Sequence, residues 1–211
     1  QRCSALRVLF VQADIGEHLT AMLTGAAAEL TVGDPAQLAT DVGPVIDAEA
    51  LALLRAHAGR MDREARLLCR VEPAGDFAHG TFFAPRIYRI DALSQLKGEV
   101  FGPILHVINY AAERLDAVIE AVNNTGHGLT LGIHSRVETT VRYIHDRLRV
   151  GNTYVNRDMI GAVVGVQPFG GEGLSGTGPK AGGPRYLHRF ATERTLSVNT
   201  AASGNAALMT L

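Results

Sequence analysis

The 211-residue sequence predicts an α/β fold with a largely parallel open sheet and flanking helices. Three observations carry that expectation. Apolar runs of strand length alternate with segments of helical periodicity through most of the chain. One run, Ile104–Tyr110, is nearly all apolar, as in a strand covered on both faces. Hydrophobic residues make up 46% and charged residues 19%, enough apolar surface for a packed core and too little charge for disorder.

The elements follow in order. Leu6–Gln12 is a short apolar run, the first strand. Asp14 with Glu17 has capping-box spacing, and Ile15, Leu19, Met22, Leu23 and Leu30 recur at helical spacing, so a helix is expected over 15–30. Gly33-Asp34-Pro35 ends it. A second helix is expected from Asp47 to His57 with Leu51, Leu54 and Ala58 on one face. Leu67–Val71 and Phe82–Ile90 read as strands separated by Pro73, Gly75 and Gly80. After the Ile104 strand, Leu115, Val118, Ile119 and Val122 mark an amphipathic helix. Leu129–His134 reads as a strand. Ser135 and Glu138 form a second capping box before a helix carrying Val137, Val141, Ile144 and Leu148. Gly151 ends that helix, Asn152–Asn156 is a short strand, and residues 157–184 are Gly-rich and aperiodic.

Composition excludes several function classes. A formal net charge of −1 gives no electrostatic footprint for nucleic acid, and Arg142, Arg147 and Arg149 read as a solvated helix face. No apolar run reaches the length of a membrane span, and no signal peptide is recognisable. Cys3 and Cys69 do not make a disulfide framework, so a cytoplasmic setting is expected. His57, Cys69 and His79 lack metal-ligand spacing, and no metal site is expected. His127 and His134 read as strand-end residues, and Cys69 as a packed strand residue.

Two short motifs carry chemistry. Cys3, in Gln1-Arg2-Cys3-Ser4, sits beside small residues before a strand, a setting in which backbone N–H groups can favour a thiolate. Glu99-Val100-Phe101-Gly102-Pro103, taken alone, is a turn before the Ile104 strand. In the Gly-rich segment, Gly171, Gly173 and Gly176 match the spacing of a dinucleotide fingerprint, but Gly178, Pro179, Gly182 and Gly183 follow where a helix is required. The segment is read instead as a loop whose backbone approaches a ligand closely.

Taken together, the Cys3 and Glu99–Pro103 motifs resemble the catalytic half of an NAD(P)-dependent aldehyde dehydrogenase. Asn156-Arg157-Asp158, Gly161-Ala162, Pro168-Phe169-Gly170-Gly171 and the run from Ser175-Gly176-Thr177 to Gly183-Pro184 narrow it. They resemble Δ1-pyrroline-5-carboxylate dehydrogenase, in particular that module within bacterial proline utilization A, a bifunctional flavoenzyme family. The resemblance runs from Gln1 to Leu211. It implies Cys3 as nucleophile, and Glu99 and Phe101 as the residues that hold the nicotinamide ribose and ring of NAD. It implies Ser4, the amides of Gly161 and Ala162, and Phe169 as substrate contacts. FAD is implied only for a proline dehydrogenase domain of a longer parent. The implied reaction is oxidation of L-glutamate γ-semialdehyde to glutamate through a thiohemiacetal and a thioester on Cys3.

The resemblance also implies organisation. Residues 1–190 correspond to the nucleophile domain and 191–211 to a C-terminal strand and tail of an oligomerisation flap, in a parent that is a homo-oligomer. The strand-like Arg194–Thr200 is expected to stay disordered or to pair with another copy. The family's general base, side-chain oxyanion donor and dinucleotide domain precede its nucleophile, so the fragment is expected to oxidise no aldehyde alone. A non-catalytic assembly module of the same fold is the alternative. It has no need of Cys3, Glu99 and Phe101 together. A small-ligand-binding α/β domain would leave the Cys3 and Glu99 pair unexplained.

Overall fold

β1 (Val8–Gln12) runs directly into α1 (Ala13–Ala28), and α2 (Ala48–Glu64) follows after a loop. β2 (Arg66–Arg70), β3 (Arg86–Arg89) and β4 (Ile104–Tyr110) complete a four-stranded sheet of order β1-β4-β3-β2. β1, β4 and β3 are mutually parallel, and β2 closes the edge antiparallel. In this computed structural model residues 1–72, 79–199 and 201 are described.

β4 shows why its sequence is apolar throughout. Ile104 and Ile108 face one side, packing with Leu51, Leu54, Ala58 and Met61 of α2. Leu105 and Val107 face the other, with Leu19, Leu23 and Ala27 of α1. Alternate residues therefore serve two cores, one under each helix.

α1 differs from expectation in face and cap. Ile15 and Met22 are exposed, while Gly16 and Thr20 are buried. Gly16 lies against β4: a Cβ there would come within 2.6 Å of the Asn109 side-chain amide, which would have to shift. The Asp14–Glu17 capping box does not form. Gln12 is the N-cap without a side-chain bond, and Glu17 pairs instead with Arg89 at 2.5 Å. α2 is capped by Asp47, whose carboxylate accepts from Ala50 N–H at 2.8 Å. It continues past His57 to Glu64, carried by buried Met61 and the Arg60–Glu64 pair one turn apart.

The second half is built around α3 (Leu115–Asn123), β5 (His127–Gly128), β6 (Thr130–Ile133), α4 (Glu138–Arg147), β7 (Asn152–Val155) and β8 (Glu172–Gly173). β6 and β7 pair in parallel, and β5 and β8 antiparallel. These are separate two-stranded pieces, not a continuation of the main sheet. The Ser135–Glu138 box is also replaced: Val137 is the N-cap, and the Ser135 hydroxyl accepts from Val137 N–H at 3.1 Å. No residue of α4 is buried, and Arg149 lies beyond its end. The Phe82–Ile90 strand shortens to Arg86–Arg89, since Pro85 cannot donate to a ladder.

The expected breaks at Pro73 and Gly75 lie outside the described residues. Of the expected C-terminal strand, residues 194–199 form none, and Thr200 lies outside the described residues. No helix among the described residues is long and apolar enough to cross a membrane.

Candidate active site

The two chemical motifs precede two neighbouring parallel strands, β1 and β4. Cys3 lies before β1 and Glu99–Pro103 before β4, and parallel pairing brings both loops to the same end of the sheet. The register Val8↔His106 to Gln12↔Tyr110 has no slip, and the Arg7 carbonyl accepting from His106 N–H at 3.0 Å carries the contact one residue toward the loops.

Cys3 is exposed in a tight turn closed by Ala5 N–H donating to the Arg2 carbonyl at 3.0 Å. Its own amide donates no hydrogen bond among the described residues. Ser4 is buried beneath it, and its carbonyl accepts from the Thr130 hydroxyl of β6 at 3.5 Å. Arg2 turns away to its neighbour's carbonyl. The cation at this site is one that sequence reasoning missed. Arg7 Nη1 meets Glu99 Oε1 at 2.6 Å, and the guanidinium carbon lies 4.5 Å from the centre of the Phe101 ring. Arg7 Nη2 reaches the Arg2 carbonyl at 3.4 Å. One side chain thus touches both motifs. A basic residue and an acidic one, each just before an apolar parallel strand, were the available signal.

Arg7 is itself held from below. Its carbonyl accepts from the His106 amide at 3.0 Å and approaches His106 Nδ1 at 3.3 Å. A carbonyl only accepts, so Nδ1 carries the proton and His106 Nε2 accepts from His57 Nε2–H at 2.9 Å. Burial, and then the neighbouring His57, push the His106 pKa down to about 4. His57 is lowered as well, by burial first and by Arg60 second. His57 therefore serves a paired buried histidine. Among the described residues no group of three or more side chains could hold a metal.

Gly161, Ala162 and Phe169 lie on the loop after β7. Asp158 Oδ1 accepts from Ile160 N–H at 3.2 Å, and Gly161 follows at φ 72°, a left-handed conformation suited to glycine. The Gly161 and Ala162 amides donate to no acceptor among the described residues. Buried Asn152, also missed, fixes the far end: Nδ2 donates to the Pro168 carbonyl at 2.9 Å and Oδ1 accepts from Gly170 N–H at 3.3 Å. Phe169 and Ala181 exchange backbone bonds at 3.0 and 2.9 Å. Gly171, Gly173 and Gly176 open no helix, in keeping with rejection of the dinucleotide fingerprint. No hydrogen bond among the described residues joins this loop directly to the Cys3 turn; the link runs through Ser4, β6 and β7. Cys69 lies in β2 with its thiol pKa raised by burial.

The model of the aldehyde dehydrogenase family matches residues 1–196. The chain belongs to the aldehyde dehydrogenase family. Among curated relatives of this aldehyde dehydrogenase chain, the bifunctional protein PutA of Klebsiella aerogenes is 50% identical over 199 residues, covering 92% of the chain and 15% of the relative. The 1-pyrroline-5-carboxylate dehydrogenase of Geobacillus kaustophilus is 37% identical, covering 93% of the chain and 38% of the relative. A solved proline utilization A from Bradyrhizobium japonicum superposes with a TM-score of 0.89 at 58% identity, over 97% of this chain and 21% of that one. A Thermus 1-pyrroline-5-carboxylate dehydrogenase with bound NAD gives 0.81 at 34% identity, over 90% of this chain and 36% of that one. The chain thus spans about 15% of the length of the PutA relatives it matches.

Proposed function

We propose that this chain forms the nucleophile-bearing part of an NAD-dependent dehydrogenase that oxidises L-glutamate γ-semialdehyde, formed from Δ1-pyrroline-5-carboxylate, to L-glutamate. The observation that carries the reading is the convergence of Cys3, Glu99 and Phe101 at one end of the parallel strands. The substrate choice draws on the relatives' names, which specify proline utilization and pyrroline-5-carboxylate oxidation.

The residues present fit a nicotinamide nucleoside. Glu99 Oε2 makes no hydrogen bond among the described residues and can accept from a ribose diol, and the Phe101 ring is half exposed as a flat wall. NAD, when bound, supplies the hydride acceptor. The Cys3 thiolate adds to the aldehyde carbon, forming a C–S bond and an oxyanion that the Cys3 amide can meet. Collapse of that oxyanion expels hydride and leaves a thioester on Cys3. Water then adds, the C–S bond breaks, and the new carboxylate leaves with Cys3 restored as thiolate. At the other end of the substrate, the Gly161 and Ala162 amides and the Ser4 hydroxyl take the α-carboxylate, and Phe169 covers the aliphatic chain.

The test is NADH formation from pyrroline-5-carboxylate by the full-length protein. Activity is expected, falling at least about a thousandfold in Cys3→Ala, as for loss of an acyl-transfer nucleophile. A full-length protein that binds NAD yet forms no NADH would instead be an assembly module.

A further inference from the structure

Arg7 has a geometry that charge pairing alone does not require. Its Nη1 engages a single oxygen of Glu99 at 2.6 Å, leaving Oε2 without a partner among the described residues. Its guanidinium covers one face of the Phe101 ring, leaving the ring half exposed. Its Nη2 reaches the Arg2 carbonyl, the same carbonyl that closes the Cys3 turn. The Arg7 side chain is largely covered, at 20% exposure, whereas that of Glu99 is at 56%. A half-exposed glutamate left to itself samples many rotamers, and ordering it on ligand binding costs side-chain entropy.

We propose that Arg7 is a positioning residue: it holds the Glu99 carboxylate and the Phe101 ring ready for the nicotinamide nucleoside and fixes both against the Cys3 turn. The proposal rests on the reading of Glu99 as the ribose acceptor. Arg7 touches neither substrate nor reacting atoms. It acts through Glu99, and its own backbone is pinned by His106, itself bonded to His57. Ordering a binding carboxylate in advance strengthens cofactor binding by removing the cost of ordering it later. Lysine, a point charge without a planar fork, could not hold the carboxylate, the ring and the Arg2 carbonyl at once.

The experiment is a double-mutant cycle in the full-length protein with Arg7→Gln, Glu99→Gln and the pair, read as the dissociation constant for NAD and the KM values for NAD and aldehyde. Arg7→Lys, with thermal melting, serves as the variant least prone to misfold. Each single change is expected to weaken NAD binding about tenfold, the scale of one charge-assisted hydrogen bond. The KM for aldehyde should stay within about twofold, and the loss in the double variant should fall well short of the product of the two single losses, because both changes act on one carboxylate. Arg7→Lys should fall with Arg7→Gln while melting like the parent. Losses that multiply in the double variant, or an Arg7→Gln protein that binds NAD normally while Glu99→Gln does not, would overturn the proposal. If Glu99→Gln itself binds NAD normally, the ribose reading fails, and the role of Arg7 fails with it.

Discussion

Asn152 shows how much a single side chain can organise. It is buried at 9% exposure, and its amide holds both Pro168 and Gly170, the residues flanking Phe169. Replacing it with Ala removes a donor and an acceptor together and leaves two backbone groups without partners. Asn152→Ala should lower stability by about 1–3 kcal/mol. If Phe169 covers the substrate chain, the same change should raise the KM for aldehyde while leaving NAD affinity intact. Melting curves and steady-state kinetics on the full-length protein check both, and an unchanged KM would separate Phe169 from substrate binding. The sequence marks Asn152 only as the first residue of a short strand, with nothing to show what its side chain would bond. Only its burial between β7 and the loop turns it into an anchor.

Among elements, the packing of the post-β7 loop on the β5–β7 region depends on backbone contacts that exclude side chains. A Cβ at Gly151 would collide with the Gly170 carbonyl, and the Gly151 carbonyl accepts from the Lys180 ammonium. Gly151→Ala must therefore push the loop away from β7, and a destabilisation of about 1–3 kcal/mol is expected, as in overpacked cores. Thermal unfolding measures it; a variant as stable as the parent would mean that the loop can shift without loss. The sequence does mark Gly151, as a helix stop. That it is also a site of backbone-to-backbone contact follows from the loop folding back, which periodicity does not encode. The helix caps teach the same lesson. Asp47 caps α2 and makes no ion pair among the described residues, whereas Glu17 is held by Arg89 on β3.

For the whole molecule, the His57–His106 pair ties stability to pH. The folded protein keeps His106 neutral down to about pH 4, because burial and the facing His57 penalise its charge. Arg60 also disfavours the charged forms, and Glu64 opposes this at His57. The unfolded chain protonates histidine near its ordinary value of about 6.5. Between those limits the unfolded state binds more protons. Stability is therefore complete above about pH 6.5 and falls as pH is lowered toward 4. Denaturant midpoints measured across that range should decline with acid and decline less in His106→Asn. An equal slope in both would place the acid sensitivity elsewhere.

Residue type and spacing were enough for the alternation of strands and helices, the apolar β4, the inward face of α2 and the two motifs around Cys3 and Glu99. These are properties of residue type and spacing along a local stretch, and local physics reads them. Only the closed fold sets β1 and β4 in parallel, and so brings the loops that carry Cys3 and Glu99–Pro103 to one end of the sheet. It decided that Arg7 joins them, that His106 meets His57, and that α1 turns Gly16 inward while Ile15 faces solvent. Each of these joins residues distant in sequence, and their energy exists only once the chain has closed on itself.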